Sequence, residues 1–168
     1  MTSEFIDAYS DDQIYLHLIE ELVNSHPTES LVPDSIKYSS FSRLWAVMMV
    51  GGVECMIKEW ASGSALQADI YSYFDKVPNK DRLVRLEKAF QLRGLSVDSE
   101  AMQDFLAVKY IRNAYIHATW NESQRSFVVS RGFPSDLMHF EEGHFKRMQT
   151  CYIHVMNNLG MVKASETR

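Results

Sequence analysis

The chain has 168 residues, 46% of them apolar and 23% charged, with only four prolines, which suits one globular domain able to bury its own core. Its 22 acidic and 17 basic side chains leave a net charge of −5, which excludes coating nucleic acid or anionic membrane by bulk charge. Cys55 and Cys151 lack C-x-x-C spacing and lie far apart, so neither a disulfide framework nor a zinc ribbon is indicated.

Helical periods run from end to end. Ser10 opens the first helix with Gln13 in capping-box position; Tyr15, Leu18, Ile19 and Leu22 follow helical spacing, and Pro27 ends it. Residues 27–39 hold Pro27 and Pro33 among Ser, Thr and Asp and read as a loop. A long helix is expected from Ser40 to Trp60, with Gly51-Gly52 inside it marking close helix packing or a kink, at a cost of about 1 kcal/mol per Gly. Ala65–Phe74 reads as a short helix stopped before Pro78. Asn79 caps a helix over Lys80–Arg93, with Leu83, Leu86 and Phe90 inward and Gly94 at its C-terminal turn. Asp98 or Ser99 caps the next helix, about 99–120. Ser126–Ser130 is the one β-like stretch, confined by Gly132 and Pro134. A last helix is expected over about 138–159, ending at Gly160. The expectation is one all-α, up-and-down bundle of five to six helices over 1–168. The N-terminus has no basic segment followed by an apolar one, and the longest apolar run, Trp45–Val53, is too short to span a bilayer, so the expected compartment is cytoplasm, with no membrane partner.

The helix over 99–120 carries polar groups where they are expensive. Stepping about 100° per residue places Val108, Ile111, Tyr115, Ala118, Ala107 and Ala114 on one core-like side. Lys109, Arg112, Asn113 and His117 fall on the opposite arc, interleaved with Phe105, Leu106, Ile116 and Trp120. Burying such cations unpaired costs several kcal/mol, so they require acidic neighbours, an anionic ligand or a partner subunit. Asn113 and His117 stand one turn apart, within reach for the amide to orient the imidazole. The nine Arg and six His supply about 0.3 Arg-x₄-His spacings by chance, and about 0.01 once an Asn must follow the Arg.

Arg112-Asn113-Ala114-Tyr115-Ile116-His117 resembles the Arg-φ-x(3–5)-His signature of HEPN domains, in which φ is a polar residue such as Asn. Most of the chain is similar to that superfamily in architecture, a small helical bundle with the motif late on a late helix. The resemblance implies a metal-independent endoribonuclease of the kind found among toxins, phage-defence effectors and RNA-processing enzymes. It further implies a homodimer whose two motifs face a composite cleft, with Arg112 and His117 catalytic and Asn113 supportive. RNA would be the partner, and an antitoxin or other regulator is compatible with the class. The chain departs from HEPN toxins paired with minimal nucleotidyltransferase antitoxins, whose motif extends to His-x-Tyr, because Thr119 stands two residues after His117.

Residue chemistry fits that implication without a cofactor. RNA carries its own nucleophile, the 2′-OH, so cleavage needs a proton acceptor and donor plus stabilisation of charge on the phosphorus oxygens. Imidazole serves the first need and a guanidinium fork the second. Lys109 is a candidate phosphate contact and Trp120 or Tyr115 a candidate base-stacking ring, against the plainer readings of a solvated lysine and a core aromatic. A noncatalytic HEPN-type module binding nucleotide, RNA or a partner protein is the alternative. His139-Phe140-Glu141-Glu142-Gly143-His144 offers metal-ligand types in poor spacing, so no metal site is expected. Arg82, Arg85 and Lys88 read as a solvated face or an RNA-tracking stripe.

Overall fold

The computed structural model describes residues 4–25, 33–63, 70 and 79–165. They form six helices and no strand: α1 (Glu4–Ser25), α2 (Asp34–Gly63), α3 (Asn79–Gln91), α4 (Ser99–His117), α5 (Glu122–Ser130) and α6 (Glu142–Ser165). The all-α bundle expected from periodicity is therefore present. The helix expected over Ala65–Phe74 lies outside the described residues except for Ile70, which is helical and buried.

The long helix α2 supplies the widest apolar face. Trp45, Ala46, Met49, Val50, Val53, Met56 and Ile57 recur every three to four residues and are all buried. It begins at Asp34 rather than Ser40, because the Pro33 carbonyl accepts from the Ile36 and Lys37 N–H groups at 3.0 and 3.1 Å and the Asp34 carboxylate stands in the first turn. The helix continues through Gly51-Gly52; Gly51 faces open space, whereas Gly52 is buried. By length and composition alone, α2 over Asp34–Trp60 is apolar enough to cross a bilayer, a longer span than the run read from sequence, and half of its most apolar window is buried inside the bundle.

Two helices end in the same way. After α3, the Leu95 N–H reaches the Phe90 carbonyl and the Gly94 N–H the Gln91 carbonyl, both at 3.0 Å, with Gly94 at φ +67°. After α5, the Phe133 N–H reaches Val128 at 3.2 Å and the Gly132 N–H reaches Val129 at 2.9 Å, with Gly132 at φ +78°. Both are Schellman endings, which need a residue tolerant of the left-handed region.

The β-like expectation at 126–130 is corrected: these residues belong to α5. The Asn121 side chain caps it by accepting from the Ser123 and Gln124 N–H groups at 3.0 and 3.4 Å. Tertiary contacts then override the local β preference of Phe127-Val128-Val129. Val128 is buried, and Phe127 stands edge-on to Tyr110 of α4 at 5.8 Å. The last helix also differs, starting at Glu142 and passing through Gly160 to Ser165 because Leu159 and Val162 carry the buried stripe onward.

Helix α4 is the axis of the bundle, in contact with α2, α3, α5 and α6. It runs antiparallel to α6, as the ordered pairs Asp104–Arg147, Ala101–Cys151 and Asp98–His154 show. Neighbours on several sides explain why Phe105 and Leu106, placed with the polar arc by the helical wheel, are buried as completely as Val108 and Ile111. The helix ends at His117, three residues earlier than expected, and Tyr115 and Ala118 are exposed instead of joining the core.

Candidate functional site

Lys109 and Arg112, three residues apart on α4, both turn toward Glu54 of α2. Lys109 Nζ lies 2.7 Å from Glu54 Oε1, and an Arg112 Nη2 N–H donates to Glu54 Oε2. Their side chains are only 12% and 17% exposed, and that of Glu54 is 27%, so water screens this cluster poorly. Glu54 thus bridges both cations of the arc. Arg112 Nε is buried without a hydrogen-bond partner among the described residues. The acidic neighbour that the polar arc requires is thus supplied from within the chain.

His117 occupies a different environment. It is the last residue of α4 and exposed, and its carbonyl accepts from the Thr119 hydroxyl at 3.1 Å. The following residue, Ala118, sits in the left-handed region at φ 51°, a conformation costing a side-chain-bearing residue about 1 kcal/mol. His117 stands five positions after Arg112, roughly 140° of rotation and about 7.5 Å of rise along the helix. Arg112 therefore faces α2 while His117 faces solvent, and a single chain does not bring the two side chains together. Asn113, one turn before His117, is half-buried and makes no hydrogen bond to the ring among the described residues.

Trp120 does not present an open stacking face. Its ring packs partly into the core and its indole N–H is buried without a partner among the described residues. The open aromatic at this end is Tyr115, with the Arg43 guanidinium 5.7 Å from its ring centre. Arg43 is held there by the Leu137 carbonyl and by Ser40 Oγ at 3.3 Å. Leu44, Tyr115 and Ile116 are exposed apolar groups. Sequence reasoning missed Glu54 and Arg43. A lone carboxylate inside Val53-Glu54-Cys55-Met56-Ile57 was the available signal, since an acid in an apolar stretch requires a cation.

A second polar cluster, also missed, joins the N-terminal half of α4 to α5 and α6. Asp104 is buried and accepts from Arg131 Nε at 2.8 Å, Arg147 Nε at 2.7 Å and an Arg147 Nη2 N–H at 2.9 Å. Arg131 also donates to Glu100 at 2.7 Å. These groups border a pocket of about 370 Å³ that Asp98 and His154 also line. His154 Nδ1 lies 2.7 Å from Asp98 Oδ2. That hydrogen bond, followed by the one from the Ala101 N–H, holds the Asp98 carboxyl below its ordinary value. Cys151 is buried with its thiol donating to the Ala101 carbonyl at 3.4 Å, and burial pushes its pKa far up, so it has no thiolate to offer.

The remaining sequence candidates are dispersed. The ring of His139 faces Asp136 at 2.8 Å, that of His144 accepts from the Glu141 N–H at 3.0 Å, and Glu142 pairs with Lys146 at 2.5 Å. Among the described residues no three His, Cys, Asp or Glu side chains are grouped to hold a metal ion. Arg85 and Lys88 are exposed on α3, and the side chain of Arg82 lies outside the described residues. Comparison with family models, curated proteins and solved structures found no match to this chain.

Proposed function

We propose that this protein is a HEPN-type endoribonuclease that cleaves RNA without a metal and works as a homodimer in the cytoplasm, as a toxin or phage-defence effector would. Arg112 and His117 are its catalytic residues and Asn113 supports them. The observation that carries this reading is the combination, on one helix, of a guanidinium anchored by Glu54 and an open imidazole at the helix end. The two cations gathered on this part of α4 favour an RNA phosphate beside them.

In the reaction, imidazole takes the 2′-OH proton, the 2′ oxygen attacks phosphorus, and a protonated imidazole returns a proton to the departing 5′ oxygen. The products are a 2′,3′-cyclic phosphate and a 5′-OH. Arg112 stabilises the charge that grows on the non-bridging oxygens, and Lys109 adds to the local potential. Two imidazoles serve this sequence better than one. A second copy covering Leu44, Tyr115 and Ile116 would supply the other His117 and bury apolar surface that a single chain leaves open. Trp120 contributes at most an edge contact to a base, given its packing.

The test is incubation of wild-type, Arg112→Ala and His117→Ala proteins with RNA in EDTA, with analysis of the product ends. Wild type is expected to yield cyclic phosphate ends, and each variant to be slower by at least about 100-fold. Equal activity in all three, or none in wild type across diverse RNAs, rejects the enzyme. One observation favours the noncatalytic module instead: Glu54 already occupies both cations. That reading predicts thermal stabilisation by RNA or nucleotide without turnover.

A further inference from the structure

Helix α5 keeps one pair of opposite charges apart. Glu122 and Arg125 stand three positions apart on it, a spacing at which a carboxylate and a guanidinium ordinarily pair. Arg125 turns to the following loop instead, where its Nε donates to the Ser135 carbonyl at 2.7 Å. Its two Nη groups and the Glu122 carboxylate have no partner among the described residues. Both residues border a cleft of about 450 Å³ between α5 and that loop, completed by Ser126, Val129, Ser130 and Ser135. Val129 is 47% exposed there, an apolar floor among polar groups. The Ser130 hydroxyl is engaged with the Phe127 carbonyl at 2.7 Å, whereas those of Ser126 and Ser135 have no partner among the described residues.

The cleft sets a carboxylate, which accepts hydrogen bonds, beside a guanidinium fork, which donates them, with an apolar surface between. A flat ring suits such a site when its edge carries two adjacent donors followed by two adjacent acceptors. Among the RNA bases guanine alone has that edge, with N1–H and N2–H for the carboxylate and O6 and N7 for the fork. Adenine sets its N1 acceptor against the carboxylate, and uracil has one N–H between two carbonyls. Cytosine offers the carboxylate a single amino group.

We propose that Glu122 and Arg125 form a guanine-recognition subsite for RNA, an inference that rests on the ribonuclease reading above. Glu122 accepts from N1 and N2, Arg125 donates to O6 and N7, and the ring lies on Val129, with the Ser126 and Ser135 hydroxyls at the rim. The position suits that role. Arg131 reaches Glu100 and Asp104 while Phe127 meets Tyr110, so α5 runs antiparallel to α4 and its first turn lies toward the His117 end. Helical register turns Glu122, Arg125 and Val129 away from the Phe127 side that faces α4. The base read there therefore belongs to a nucleotide near the cut but not at it.

Dye-labelled 2′-O-methyl RNA hexamers, which lack the attacking hydroxyl, test this when titrated with the full chain and followed by anisotropy. One strand is all uridine, and the others carry a single guanine, adenine or cytosine. The guanine strand is expected to bind at least about tenfold tighter than the uridine strand, and that ratio should fall to near one in Glu122→Gln and in Arg125→Gln. Arg125 also anchors the loop at Ser135, so if its variant fails to fold, Glu122→Gln decides alone. A role in folding or bulk charge scales all four strands together and leaves the ratio as in wild type, which overturns the proposal. No binding by wild type, or a preference for adenine or cytosine, overturns it too. With ordinary RNA, cuts should fall at a fixed distance from guanine in wild type and lose that register in both variants. Cuts placed without regard to guanine sink the subsite and leave the nuclease standing, whereas guanine-selective binding without cleavage rejects the nuclease and supports the subsite.

Discussion

The two halves of α4 carry ion clusters of similar inventory and opposite construction. In the N-terminal half the carboxylate belongs to α4: Asp104 receives Arg131 from the end of α5 and Arg147 from α6, and Glu100 takes the remaining reach of Arg131. Two acids meet two guanidiniums, and both oxygens of Asp104 are engaged. In the C-terminal half the cations belong to α4 and their carboxylate, Glu54, to α2. Here Arg112 Nε has no hydrogen-bond partner among the described residues, and the exposed His117 ends the same helix. The first arrangement ties three helices together and is electrically closed. The second hangs two cations of α4 on one carboxylate of α2 and lies toward the open, exposed end of α4.

If that contrast is right, the closed cluster should fail as structure and the open one as chemistry. Asp104→Ala leaves two guanidiniums facing a buried gap and should cost about 3 kcal/mol by urea denaturation. It leaves Arg112 and His117 in place, so the activity per folded molecule should hold. Glu54→Gln should cost less, about 1–2 kcal/mol, because Glu54 is less deeply buried than Asp104 and the amide still fills its place. It should lower kcat more than it changes KM, since Arg112 loses the carboxylate that aims it. If Glu54→Gln instead cleaves or binds RNA better, the carboxylate is a competitor for the phosphate and not an anchor.

How much of this was legible in sequence depends on whether the deciding contact is near in the chain. Helix α3 was readable because Leu83, Leu86 and Phe90 set its period and Gly94 its end, all within one segment. The position of α5 was not, because Phe127-Val128-Val129 has strand-like propensity and the contact that overrides it, Tyr110, lies outside the segment. The motif Arg112-x₄-His117 was visible as spacing, yet spacing could not show that its two ends face different ways. Nor could it show that Glu54, 58 residues earlier, holds Arg112. Asp104 was readable in principle, as a lone acid in the apolar run Met102–Val108, but its two arginine partners were not.

A smaller effect separates α2 as a scaffold from α2 as the carrier of Glu54. Gly51 is exposed and a methyl group there would meet nothing within 4 Å. Gly51→Ala should therefore stabilise the protein by up to about 1 kcal/mol, read as a higher urea midpoint, with cleavage unchanged. Combined with Glu54→Gln, it should restore much of the lost stability and none of the lost rate. Recovery of rate by Gly51→Ala would make helix integrity, rather than the Glu54 carboxylate, the property that the site needs.

The closed half has a further element, the Asp98–His154 pair at the start of α4, whose expected effect is the smallest and appears only in acid. Asp98 has a lowered pKa in the folded protein, chiefly through its hydrogen bond with His154 and then through the Ala101 N–H it caps. A carboxyl held below its unfolded value, about 3.9, stabilises fully above that pH. The contribution is lost as pH falls from there through the lower, folded pKa. Asn serves as well as Asp at a helix N-cap, so Asp98→Asn keeps the cap and removes the titration. The variant should lie within about 1 kcal/mol of wild type at pH 7, because the pair is partly exposed and screened. Below about pH 4 the two stability curves should converge, as wild type protonates the group that the variant lacks. Parallel curves across that range would assign the stability of this end to the cap alone, leaving Asp104–Arg147 as the electrostatic tie between α4 and α6 among the described residues.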